Sequence, residues 1–234
     1  MGAGQLLPLT QDQAHYLFAV MRLEVGAVIS VFNGVAGEWD ARVAEAGKRK
    51  GLLECIAQTR PLQMPPDLWL MFAPLKKART DFIVEKAVEL GVARILPVLT
   101  DYTNAERVRV EKLQAHAVEA AEQCGATYVP EVAEPVKLAK VLDTWDAGRM
   151  ILHCDEAMAG WGRTPGLEQF APGGPWAVLI GPEGGFSPAE RKRLDEGLAG
   201  TVFSVALGPR ILRADTAAVA ALTLWQAALG DWRD

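Results

Sequence analysis

The sequence predicts an α/β protein built in two parts: a small β-barrel or sandwich over residues 1–65, followed by a larger domain over residues 66–234 around a parallel sheet. Three observations carry this. The first sixty residues hold short runs of alternating polarity separated by turn residues. A proline-containing break, Arg60-Pro-Leu-Gln-Met-Pro-Pro-Asp67, then interrupts the chain, and the boundary is placed near Pro65. Beyond it, short and almost continuously apolar runs alternate with segments that read as capped helices, the texture of a sheet covered on both faces.

Taken in order, Val28-Ile-Ser-Val-Phe32 and Glu38-Trp-Asp-Ala-Arg-Val43 are strand-like, with Asn33-Gly34 and Gly37 as turn signals between them. After the break, strands are expected over residues 68–73, 94–99, 149–154, 176–180 and 202–206. Helices fit between them. Residues 79–90 end at Gly91 and residues 108–123 end before Gly125, each glycine standing where a left-handed C′ residue belongs. Residues 188–198 begin with Ser187 as N-cap, Pro188 at the first helical position and Glu190 at the third, a capping box. A last helix is expected over residues 215–229, with Asp215 or Thr216 as its cap.

The 234 residues are half hydrophobic and 23% charged, which is ordinary for a folded globular chain. A formal net charge of −5 argues against bulk electrostatic capture of nucleic acid, so any RNA site must be local. Lys and Arg balance Asp and Glu at 6 against 6 before Asp67 and stand at 18 against 23 from there on. The first part is thus the less repulsive toward a polyanion. Cys55, Cys124 and Cys154 are widely spaced without a CxxC pair, which argues against a disulfide framework or a zinc site and for a reducing, cytoplasmic setting. His15, His116 and His153 form no metal motif, and no metal is expected. No stretch is long and apolar enough to suggest a membrane span.

Two loops carry the chemistry. Leu179-Ile-Gly-Pro-Glu-Gly-Gly-Phe-Ser187 lies between a buried strand and a well-capped helix, where glycines let backbone N–H groups approach a ligand. The GxGxxG and GxxxxGK fingerprints are both absent from the chain, which weighs against the usual NAD and ATP readings. Leu207-Gly-Pro-Arg-Ile-Leu-Arg-Ala-Asp-Thr216 likewise follows an apolar strand and opens a helix. Neighbouring strand ends of this kind form the crevice in which α/β sheets bind ligands. A tight connection needing φ > 0, with surface arginines, is the plainer account of both loops.

These segments, together with Glu119-Ala-Ala-Glu-Gln-Cys-Gly125, Val129-Pro-Glu131 and Glu85-Lys-Ala-Val-Glu-Leu-Gly91, resemble the 16S ribosomal RNA uridine-N3 methyltransferases of the SPOUT superfamily. The N-terminal run His15-Tyr-Leu-Phe-Ala-Val-Met-Arg-Leu23 with Gly26 is similar to that family's PUA-like, RNA-binding barrel. The opening Met1-Gly-Ala-Gly-Gln-Leu-Leu departs from the basic and aromatic first strand usual there. The resemblance implies a C-terminal trefoil knot, S-adenosyl-L-methionine as cofactor, a homodimer, and 16S ribosomal RNA or the small ribosomal subunit as partner. It implies a cofactor pocket made by Leu152 and the segment after it, by Ile180, Gly181, Pro182, Glu183, Gly184 and Gly185, and by Leu207, Gly208, Ile211 and Leu212. Arg210 and Arg213 are the candidates for stabilising an anionic uracil, with Glu183 as a second-rank catalytic group. Arg22, Lys76, Lys77 and Arg79 are the candidates for RNA contact, and Leu222 and Trp225 for the dimer interface. His153 is expected to pack or to line the pocket. The rival readings are a tRNA 2′-O-methyltransferase of the same superfamily, a non-catalytic ribosome-associated RNA-binding module, and a nucleotide-binding enzyme.

Overall fold

The computed structural model describes residues 1–104, 107–159, 166–198 and 200–233. The chain divides into two compact units, Met1–Met64 with Ala126–Tyr128, and Pro65–Gly125 with Val129–Asp234. Thr127 explains why a short piece of later chain joins the first unit. Its hydroxyl accepts a hydrogen bond from the Gln63 amide at 2.8 Å.

The first unit is a four-stranded antiparallel sheet in the order β1-β4-β3-β2, formed by β1 (Leu6–Pro8), β2 (Val28–Phe32), β3 (Glu38–Ala46) and β4 (Gly51–Arg60). A short helix, α1 (Gln11–His15), starts on a complete capping box between Thr10 and Gln13 and runs on into a π-helical turn over Tyr16–Val20. Ala41, Val43 and Leu53 are buried at its core, with Leu17, Phe18, Ile29 and Val31 packed around them. The Asn33-Gly34 signal is a side-chain-braced turn: Asn33 Oδ1 accepts from the amides of Val35 and Ala36 at 3.1 and 2.8 Å. Gly37 is required by space, since a Cβ there would lie 2.3 Å from the Arg60 carbonyl oxygen.

The second unit is built on a wholly parallel sheet in the order β11-β9-β10-β5-β6-β7, with β8 also paired to β6. Its strands are β5 (Leu68–Phe72), β6 (Arg94–Leu99), β7 (Glu131–Val132), β8 (Val136–Lys137), β9 (Met150–Cys154), β10 (Trp176–Ile180) and β11 (Val202–Val205). Every residue of β10 is buried, as expected of a strand with neighbours on both edges and cover on both faces. The helices are α2 (Lys77–Glu89), α3 (Val110–Cys124), α4 (Leu138–Asp143), α5 (Pro188–Gly197) and α6 (Ala214–Leu229). Leu138 and Leu142 of α4 and Leu194 of α5 pack with Met71, Leu96, Val98, Ile151, Ala177 and Leu179 of the sheet. On β10 and α2 lies α6.

Two expectations about α6 are corrected. Neither Asp215 nor Thr216 caps it: the helix begins one residue earlier, Arg213 is the N-cap without a side-chain bond, and Asp215 Oδ1 instead accepts from the Thr216 amide at 2.9 Å. Leu222 and Trp225 are both 0% exposed within the single chain, so they are core residues and not an interface. No helix among the described residues is long and apolar enough to cross a membrane.

Candidate active site

The order β11-β9-β10 puts three strand ends side by side, and each feeds a loop on the same edge of the sheet. Chain leaving Cys154, Ile180 and Val205 converges there on a cavity of about 210 Å³. Parallel sheets place ligands at this carboxyl edge because the loops of adjacent strands meet there.

Among the residues proposed from sequence, Ile180, Gly181, Pro182, Glu183, Leu207, Ile211 and Leu212 line this cavity, as do Arg210 and Arg213. Four do not. Leu152 is fully buried in the middle of β9, paired to Val178 and Phe203. Gly184 faces Tyr102, whose Cβ would lie 3.4 Å from an added Cβ, and Gly185, at φ +68°, is pressed against the Glu156 carboxylate. Gly208, at φ +110°, supplies the turn, with open space where a side chain would stand. Gly181 is small for a different reason. A Cβ there would meet the Phe186 ring at 2.8 Å, so the aromatic is folded under the loop.

Cys154, Asp155, Glu156, Ala159, Val205, Ala214 and Ala217 complete the lining and were not individually identified from sequence. The available signal was the third apolar strand, 149–154, ending in two acids. The segment after Leu152 contributes Asp155, Glu156 and Ala159, while its residues 160–165 lie outside the described residues.

Charge is distributed around the cavity in pairs. Glu183 lies 3.9 Å from Arg79, which also lies 3.7 Å from Asp215 at the start of α6. Arg79 therefore faces one acid of the 179–187 loop and one at the start of α6. On the other side, Arg191 of α5 bonds both Asp155 and Glu156 and donates from Nε to the Phe186 carbonyl at 3.1 Å. Arg210 and Arg213 are exposed and have no ion pair among the described residues. Lys77 is paired with Asp81 at 2.6 Å, Lys76 is the exposed N-cap of α2, and Arg22 in the first unit is exposed at φ 56°.

Behind the loops lies His153, 1% exposed, with Nδ1 3.0 Å from Ser204 Oγ and its ring edge-on to Phe186 at 4.9 Å. Burial pushes its pKa down to about 4, so it is neutral at physiological pH and packs without lining the cavity. The first turn of α5 is fixed by its complete capping box and by Ser187 Oγ, which donates to Asp101 Oδ2 at 2.6 Å. No group of three or more His, Cys, Asp or Glu able to hold a metal occurs among the described residues.

The class of protein follows from comparison with known sequences. A family model for an RNA methyltransferase domain matches residues 63–226, and one for an RNA methyltransferase PUA domain matches residues 9–54. A Synechocystis relative named ribosomal RNA small subunit methyltransferase E is 30% identical over 218 residues, covering 92% of this chain and 70% of that one. The Rickettsia conorii protein of the same name is 26% identical over 213 residues, covering 91% and 86%. Among solved structures, the Neisseria gonorrhoeae ribosomal RNA small subunit methyltransferase E bound to S-adenosyl methionine superposes with a TM-score of 0.80 at 28% identity, covering 99% of this chain and 95% of that one. The chain belongs to this family of RNA methyltransferases, the one that contains the ribosomal RNA small subunit methyltransferases E.

Proposed function

We propose that the protein uses S-adenosylmethionine to methylate N3 of a uridine in 16S ribosomal RNA. The observation that carries this is the convergence of the two glycine-bearing loops, 180–183 and 207–213, on one cavity at the carboxyl edge of the sheet. The lining fits the cofactor. Ile180, Val205, Leu207, Leu212 and Ala217 offer apolar surface for a purine, while Asp155, Glu156 and Glu183 offer acceptors for ribose hydroxyls and counter-charge for a sulfonium. In the same reading the last segments thread as a trefoil knot, the PUA-like unit of residues 1–65 takes RNA through Arg22, and Lys76 and Lys77 of the methyltransferase domain, residues 66–234, add phosphate contacts. A homodimer is the working form, with an interface that does not include Leu222 or Trp225.

The bound cofactor would supply a methyl group activated by its sulfonium. This chain's residues would do the rest. Uridine N3 gives its imide proton to solvent water, the resulting negative charge spreads onto the flanking carbonyl oxygens, and the nitrogen's electron pair takes the methyl group as S-adenosylhomocysteine departs. Arg210 and Arg213, which line the cavity and have no ion pair among the described residues, are placed to hold that charge. Alignment of the nitrogen with the methyl group supplies much of the remaining acceleration. Glu183 is held by Arg79 and so favours an orienting role over proton abstraction.

The test is transfer of tritium from labelled S-adenosylmethionine to 16S ribosomal RNA, small ribosomal subunits and tRNA, followed by nucleoside analysis. Label recovered as N3-methyluridine from 16S RNA supports the reading. Label in tRNA as a 2′-O-methyl nucleoside, or no transfer to any RNA, overturns it.

A further inference from the structure

Among the described residues, Arg191 is the most densely engaged cation near the cavity, yet it does not line it. It stands on α5 and reaches back past the glycine loop, one Nη meeting Asp155 and the other Glu156, while Nε fixes the Phe186 carbonyl. Both acids line the cavity. Their side chains are 14% and 33% exposed and that of Arg191 is 25%, so water screens the three charges only in part. The trio carries one net negative charge. Glu183, the remaining acid of the lining, already has Arg79 beside it, and the lining's own cations, Arg210 and Arg213, have no ion pair among the described residues and do not engage Asp155 or Glu156.

Building on the proposed cofactor, we infer that Arg191 is a specificity-determining residue that tempers the negative charge of the Asp155 and Glu156 side of the cavity and thereby its preference between cofactor and product. The methyl donor bears a positive sulfonium, whereas S-adenosylhomocysteine has an uncharged thioether and is otherwise nearly the same shape. Packing and hydrogen bonds therefore act on both alike. Local charge is what separates them. Two carboxylates without their clamp would favour the sulfonium over the neutral thioether; a guanidinium bonded to both tempers that bias. Arg191 acts on the ligand through Asp155 and Glu156 and has no contact with the reacting atoms.

The inference is tested by measuring dissociation constants of S-adenosylmethionine and S-adenosylhomocysteine calorimetrically at low salt for the full chain and two variants of opposite sign. Arg191→Met leaves the acids uncompensated, and the ratio of product to cofactor dissociation constants should rise about fivefold, the scale of one extra partly screened charge near the sulfur. Glu156→Gln keeps the side-chain shape and removes one negative charge, so the same ratio should fall by a similar factor. If Arg191→Met weakens both ligands equally, Arg191 is a scaffold residue and the inference is lost. Should that variant fail to fold, Glu156→Gln decides alone, an unchanged ratio overturning the idea. Failure of the unaltered protein to bind either compound would instead remove the cofactor reading itself.

Discussion

Arg213 occupies two roles at once, as the N-cap residue of α6 and as part of the cavity lining. Because its side chain makes no cap bond, truncation should leave the helix start intact and expose the chemical role. Arg213→Ala is expected to lower the single-turnover methylation rate about a hundredfold, the usual scale for losing one donor to a developing anion, with little change in S-adenosylhomocysteine affinity. An unchanged rate at saturating cofactor would take Arg213 out of the mechanism. The loop residues around it were legible in the sequence because their signature is local: an apolar run, a glycine turn, then a helix start within ten residues. Asp155, Glu156 and Arg191 were not. Their pairing joins residues 35 and 36 positions apart, and no periodicity or short motif records a contact at that separation. The neighbours of Arg79 were hidden for the same reason. Between strand and helix it reads as a solvated cation, and only the fold brings it to Glu183 and Asp215.

At the scale of elements, the strands that the sequence marks best are those buried on both faces. The expected bounds of β6 and β10 coincide with the observed Arg94–Leu99 and Trp176–Ile180, because continuous burial writes itself as a continuous apolar run. The two-residue strands β7 and β8 and the six-residue helix α4 left no such trace, being too short to repeat any pattern. Helix α5 was legible through its start signal alone, Ser187-Pro188 with Glu190. That cap also bears on the site, since Ser187 Oγ both accepts from the Glu190 amide at 3.2 Å and donates to Asp101. Ser187→Ala removes both bonds from a buried position and is expected to cost about 1–2 kcal/mol in urea unfolding. Amide exchange should quicken in the first turn of α5 and in the loop at Asp101. Protection unchanged at both places would mean that the glycine loop is held without this cap.

For the molecule as a whole, the buried imidazole of His153 ties stability to pH. Its pKa is lowered from an ordinary 6.5 to about 4, with desolvation as the first cause. The charges facing it are Asp155 on its own strand's continuation and Asp195 and Arg191 on α5; the two acids pull the pKa upward, Arg191 pushes it down, and burial prevails. Between pH 6.5 and 4 the unfolded chain binds a proton that the folded chain refuses, so unfolding is favoured as pH falls through that window. Above 6.5 both states are neutral and below 4 both are charged, so the contribution is flat outside it. The loss across the window is about 3 kcal/mol, from two and a half units at 1.36 kcal/mol each. Glu38, held at about 2 mainly by its bonds to Arg60 and Thr59, starts to act only below its ordinary 4.5. A fall in urea-unfolding free energy between pH 6.5 and 5 is the expected mark of His153. His153→Leu should flatten that slope while keeping the apolar contact with Phe186, at the expense of the Ser204 bond. If the variant retains the full slope, the proton is taken up elsewhere and His153 is no more than a packing residue.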